Sequence, residues 1–151
     1  MQSDIGNKYI LVSYHYDANN ILTTPLKNIT GPWILRGITN IHEKLKMRGL
    51  TPKLYIMDNE VSEDLKQYFE DSDIQFQLVP QHMHRRKYAE RAVRTFKNHF
   101  IAALCTVAPI PPFYLWDHLL PQVTMTLNML QWSRLNPELS AYEQVDGIGN
   151  F

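Results

Sequence analysis

Leu54-Tyr55-Ile56-Met57-Asp58-Asn59-Glu60 is the stretch on which the reading of the fold turns. Its apolar run is too short for a helix and follows Gly49 and Pro52, which end the preceding segment, so Lys53–Met57 reads as a short buried strand. The run closes on an acid. A carboxylate at the carboxyl edge of a central strand stands where open α/β sheets place their sites. The same Asp58 also serves as a turn residue or helix cap, because Asp58-Asn59 precedes an acidic first turn.

Outward from this strand the chain alternates. Upstream, Lys8–Tyr16 and Ile21–Leu26 are β-rich and flank the turn Asp17-Ala-Asn-Asn20, which predicts an antiparallel hairpin. After a loop at Ile29–Pro32, Ile34, Ile38, Ile41 and Leu45 recur at helical spacing. Downstream, Glu63–Glu70 predicts a brief acidic helix with Leu65 and Phe69 inward. Ile74, Phe76 and Leu78 alternate with polar neighbours as a strand. Pro80–Tyr88 is a polar, basic loop. A helix follows with the stripe Ala89, Val93, Phe96, Phe100 and Ala103, placing Cys105 on its inner side as a core thiol. Pro109-Ile-Pro-Pro112 breaks the chain, Phe113–Leu130 predicts another helix with Pro121 as a kink or N-terminal turn, and Asn136–Phe151 reads as a short tail. The order ββαβαβαα predicts an α/β fold with a mixed sheet flanked by helices. We expect residues 1–108 to form the core and 109–151 a C-terminal helical extension and tail.

At 151 residues the chain suits one domain with a substantial core. No apolar run approaches a membrane span, and the start is no signal peptide, so no membrane partner and an intracellular setting are expected. A single cysteine excludes an internal disulfide and a cysteine-rich zinc site. Net charge is zero, but its distribution is uneven. Residues 58–73 hold seven acids against Lys66, whereas 82–99 hold six Lys or Arg against Glu90, with His82, His84 and His99 among them. Such a basic block is the footprint a phosphate backbone requires, and it is equally the pattern of a solvated helix face. The histidines lack metal-ligand spacing and serve better as pH-dependent positive charge. Tyr88 and Trp33 are read as core aromatics before base-stacking ones. Met125, Leu127, Met129 and Leu130 mark a core or interface helix, so self-association is a partner expectation.

Glu90, Arg94 and Lys97 are related by i, i+4 and i+7 and share one helix side, opposite Val93, Phe96 and Phe100. A carboxylate near a helix start is favoured by the macrodipole by roughly 0.3–1 kcal/mol. The two cations follow at roughly 5–10 Å by helical rise, distances at which phosphates flank a metal-bound scissile bond. A plain Glu90–Arg94 pair on a surface helix would account for the same residues.

The strand with Asp58-Asn59-Glu60, then Phe76-Gln-Leu-Val-Pro80, then Ala89-Glu90-Arg91-Ala-Val-Arg94-Thr95-Phe-Lys97 resembles the catalytic core of retroelement integrases, especially those of copia-type retrotransposons. Trp116–Leu130 and Asn136-Pro-Glu-Leu-Ser-Ala-Tyr-Glu143 resemble the region after that core, so the likeness spans nearly the whole chain. The resemblance implies a ribonuclease H-like fold and a site of three carboxylates holding two divalent ions, Mg²⁺ or Mn²⁺, for DNA strand transfer. Asp58 matches the second family acid and Glu90 the third. Arg94 and Lys97 match DNA-contacting positions, and Arg85, Arg86 and Lys87 extend the phosphate-binding block. The implied partners are element ends and target DNA, and the implied place of action is the nucleus. The 31 residues between Asp58 and Glu90 are fewer than in retroviral members. The family's opening strand, with the first acid, is expected upstream of Met1, leaving a truncated core in which Asp4 and Asp17 are poor substitutes. Two other readings stay open: an inactive DNA-binding remnant, and an α/β interaction domain.

Overall fold

Tyr9–His15 (β1) and Asn20–Leu26 (β2) pair antiparallel from Tyr9 opposite Leu26 to His15 opposite Asn20. The expected hairpin is therefore present. Its turn closes through the Asn19 amide donating to the Tyr16 carbonyl at 3.1 Å, with Asn19 at φ +52, a region asparagine tolerates better than most residues. The structure, a computed structural model, describes residues 2–57, 61–79, 86–106 and 113–148, the side chains of Arg86 and Lys87 excepted.

Helix α1, Gly31–Met47, begins earlier than expected because Pro32 suits the first turn of a helix. It ends where Gly49 adopts φ +69, a left-handed conformation that glycine accepts without strain. Ile38, Ile41 and Leu45 are buried, as their spacing predicts. Leu54–Met57 (β3) and Gln75–Leu78 (β4) pair in parallel, Leu54 opposite Gln75 and Met57 opposite Leu78. Glu63–Asp71 (α2) makes the crossover and sends Leu65 and Phe69 inward.

The described strands thus include both parallel and antiparallel pairs, but they hydrogen-bond as two two-stranded sheets, not one. β3 also departs from the buried strand expected. Tyr55 and Met57 pack toward Phe69, whereas Leu54 and Ile56 are 46% and 42% exposed on the opposite face. A parallel pair normally has both faces covered. Here no described helix covers the second face.

Helix α3, Arg86–Thr106, and helix α4, Trp116–Met129, close the hairpin side of the molecule, with a 3₁₀ turn at Phe113–Leu115 between them. Ala92, Phe96, Trp116, Leu120, Val123 and Leu127 form one core with Ile21. The buried seam of α3 is narrower than predicted and rotated: Ala92 and Phe96 are buried, while Ala89 and Val93 are exposed. Cys105 is likewise exposed instead of a core thiol, since Ala103 and Leu104 take the inward side of the last turns of α3. Pro121 lies inside α4.

The expected tail is replaced by structure. Ser140 caps a short helix, Ala141–Asp146 (α5), in a reciprocal box with Glu143. Ala141 and Val145 are fully buried against the hairpin side. The expected division between residues 108 and 109 lies outside the described residues. Among the described residues, no helix is long and apolar enough to cross a membrane.

Candidate nucleic-acid interface

Parallel pairing places the carboxyl ends of β3 and β4 at one edge, where the Val79 amide donates to the Met57 carbonyl at 2.9 Å. Asp58 is the next residue after β3 and lies outside the described residues, as do His82, His84 and Arg85. The connection 80–85 leads from this edge to α3. Leu78, the last residue of β4, thus stands opposite Met57 at the end of the Asp58 strand and precedes Arg86, the first residue of α3, by eight positions.

Helix α3 starts at Arg86, so Glu90 stands in its second turn and not at its head. The macrodipole contribution expected for it shrinks accordingly, because that effect falls off within the first turn. Glu90, Arg94 and Lys97 are all exposed, as their i, i+4, i+7 relation predicts. Across residues 88–98 only Ala92 and Phe96 are buried. A wide solvent-facing arc of the helix thus carries one acid and three cations, Arg91 included.

Tyr88 corrects the expectation of a core aromatic. It is 43% exposed, and its ring meets the 50% exposed Tyr16 edge-on at 5.2 Å. The Arg91 guanidinium lies 5.2 Å over Tyr88, and that of Arg134 lies 4.4 Å over Tyr16. Arg134 also donates to the Tyr14 hydroxyl at 2.7 Å and to the Tyr16 carbonyl, and Tyr14 donates to Asn19 Oδ1 at 2.7 Å. Two exposed tyrosines with two guanidiniums, two residues from Glu90, offer π faces and positive charge together. Single-stranded bases and phosphates take such a surface well. Sequence reading missed Tyr16 and Arg134 because 118 residues separate them. Trp33, only half-buried, lies under Lys27 and Arg36 in a separate place.

The two residues considered as replacements for a first acid are not alike in position. Asp17 is exposed in the hairpin turn, where its carbonyl accepts from the amides of Arg134 and Leu135. Asp4 packs at the start of α4, its amide donating to the Tyr114 carbonyl at 2.8 Å. The ring of Trp116 meets that of Phe100, ten residues and about 15 Å of helical rise beyond Glu90. Asp4 therefore belongs to the opposite end of α3 from Glu90.

No protein-family model matches the chain, and no curated protein matches it. Solved structures do. A chain of the simian T-cell lymphotropic virus intasome in complex with PP2A regulatory subunit B56 gamma superposes with a TM-score of 0.71 at 14% identity, over 89% of this chain and 47% of that one. This protein thus spans about half the length of that chain. The catalytic core domain of BIV integrase gives 0.67 at 14% identity, over 90% and 84% of the two chains. The HTLV-2 integrase catalytic core domain, solved in complex with magnesium, gives 0.62 at 14% identity, over 91% and 92%. At such identities the likeness is one of architecture, and on it the chain has the mixed α/β fold of a retroviral integrase catalytic core.

Proposed function

We propose that this chain is the catalytic core of a copia-type retroelement integrase, acting on element ends and target DNA by phosphoryl transfer. The observation that carries the reading is the integrase-core fold combined with the exposed Glu90, Arg94 and Lys97 on one face of α3. Glu90 is an accessible oxygen donor, which fits one ligand of a hard cation. Mg²⁺ or Mn²⁺ would be held by Asp58 and Glu90, and when bound supplies Lewis-acid stabilisation of charge at the transferred phosphate. Arg94 and Lys97, with Arg85, Arg86 and Lys87, bind the flanking phosphates and set the register of the strand. Tyr16 and Tyr88 give unpaired bases a stacking surface beside them.

A second reading, DNA binding without strand transfer, is favoured by the position of Asp4, which stands away from Glu90. One experiment separates the two. Labelled element-end DNA is incubated with the protein and Mg²⁺ or Mn²⁺, and DNA affinity is measured against salt. The first reading expects strand transfer that disappears in Asp58→Asn and Glu90→Gln while binding persists. Binding without transfer, also in a protein that carries the expected opening strand upstream of Met1, selects the second. In both, Arg94→Ala and Lys97→Ala each weaken binding and lower the salt slope by about one. Binding unaffected by either substitution sinks both readings and leaves an α/β interaction domain.

A further inference from the structure

The N-terminal turn and the start of α4 meet in a cluster remote from Glu90. Ser3–Asn7 is held tightly: the Ser3 amide donates to the Asn7 carbonyl at 2.7 Å, the Asn7 amide to Ser3 Oγ at 2.9 Å, and Gly6 completes the turn at φ +92. Asn7, itself buried, donates through Nδ2 to Asp117 Oδ2 at 2.8 Å. The Asp117 side chain is only 2% exposed, yet its other oxygen, Oδ1, is buried with no hydrogen-bond donor among the described residues. Leaving a buried carboxylate oxygen unmatched is costly, so something other than a protein donor is the natural complement.

Burial opposes ionisation of Asp117. Hydrogen bonding from Ser3, Asn7 and its own backbone, with the charge of His118, outweighs burial and holds the carboxyl below its ordinary value. Oδ1 lies 3.9 Å from His118 Nε2. That same nitrogen is 3.2 and 3.3 Å from the two oxygens of Asp4. One ligand atom from each of the three residues falls within 4.8 Å of the others. Donors bound tetrahedrally to zinc at about 2.0–2.1 Å are about 3.3 Å apart, so the Asp4–His118 spacing already matches and Asp117 must draw closer to the other two.

We propose that Asp4, Asp117 and His118 form a divalent transition-metal site, with zinc the best match, that clips the N-terminal turn to helix α4. Two carboxylate oxygens and one imidazole nitrogen make a donor set that zinc accepts and that the all-oxygen preference of magnesium disfavours. Asn7 orients the buried carboxylate from behind, as outer partners of metal ligands do. Asp4 and His118, 37% and 56% exposed at their side chains, leave an open approach for the ion and a water as fourth ligand.

Zinc titrated calorimetrically into the full chain tests this. One site is expected, with affinity reduced about ten-fold or more by Asp4→Asn and by His118→Gln, both surface changes that spare the fold. Occupancy should also raise the thermal midpoint of the unmutated chain and not that of His118→Gln. Glu90→Gln should leave zinc binding unchanged, which separates this site from the proposed integrase centre. Absence of zinc binding, or binding unaltered in both Asp4→Asn and His118→Gln, overturns the proposal. The second outcome would assign the ion to the remaining histidines or Cys105.

Discussion

The hairpin side and the parallel side of this molecule have two strands each and are finished in opposite ways. On the hairpin side, polar side chains stand in for a further strand. The Asn128 amide accepts from the Ile21 N–H at 2.9 Å and donates to the Ile21 carbonyl at 2.7 Å, while Asn20 Nδ2 donates to the Ala141 carbonyl at 2.7 Å. α3, α4 and α5 then cover what remains. On the parallel side, one face rests on an aromatic group around Phe69, and the other shows Leu54 and Ile56. The well-closed side holds the fold. The thinly covered side ends at the edge from which Asp58 and, through residues 80–85, the Glu90 helix follow.

The harshest way to break this contrast is Phe69→Ala. Phe69 is fully buried between Tyr55 and Phe76, and its loss should cost roughly 3–5 kcal/mol. Hydrogen exchange should then rise in α2, β3 and β4 well before it rises in β1, β2 and α4. A uniform rise would mean that the two sides are one cooperative unit. Asn128→Ala is the reciprocal probe. It strands both backbone groups of Ile21 in the core, a loss of about 2–4 kcal/mol readable in a urea titration, with exchange rising first at the hairpin side.

The smallest effect tests the seam between α1 and α2. His42 of α1 meets the Tyr68 hydroxyl of α2 at 2.6 Å, and its Nε2 is buried without a partner among the described residues. Burial, and secondarily the charge of Lys46, hold its pKa below the ordinary value against the pull of Glu43. The unfolded chain therefore takes up the proton first as pH falls below about 6.5, and stability declines from there toward the lower folded value. Each proton contributes at most about 1.4 kcal/mol per pH unit. Thermal midpoints at pH 7 and pH 5 should differ less in His42→Gln than in the unmutated chain. The slope should persist in part, because burial depresses His15 in the same direction. An unchanged slope would remove His42 from the seam's pH response.

Local pattern was enough wherever one element's own periodicity decided the outcome. The hairpin, the Ile38–Leu45 face of α1, the inward Leu65 and Phe69, and the shared face of Glu90, Arg94 and Lys97 all follow from spacing within a single segment. What failed was whatever depended on a neighbour. Val93 and Cys105 look apolar on a helical wheel, but the seam of α3 is set by how α4 and β1 meet it. Residues 136–148 look like a tail because Val145 gains its cover from distant residues, Ala18 and Leu22 of the hairpin and Ile41 and Leu45 of α1. Tyr88 looked like a core ring until Tyr16, 72 positions earlier, met it at the surface.

By itself the amino-acid sequence determined the class and order of the elements up to α4 and the acid-and-base character of the strand-to-helix edge, because periodicity and charge are written locally. Only the tertiary structure decided that the strands form two pairs, that Asn128 substitutes for a strand at β2, and that Tyr16, Tyr88, Arg91 and Arg134 share a surface. It also decided that Asp4 joins Asp117 and His118 instead of Glu90. Apart from the strand pairing, these outcomes rest on contacts between residues from 72 to more than 100 positions apart, and packing and desolvation act on distance in space.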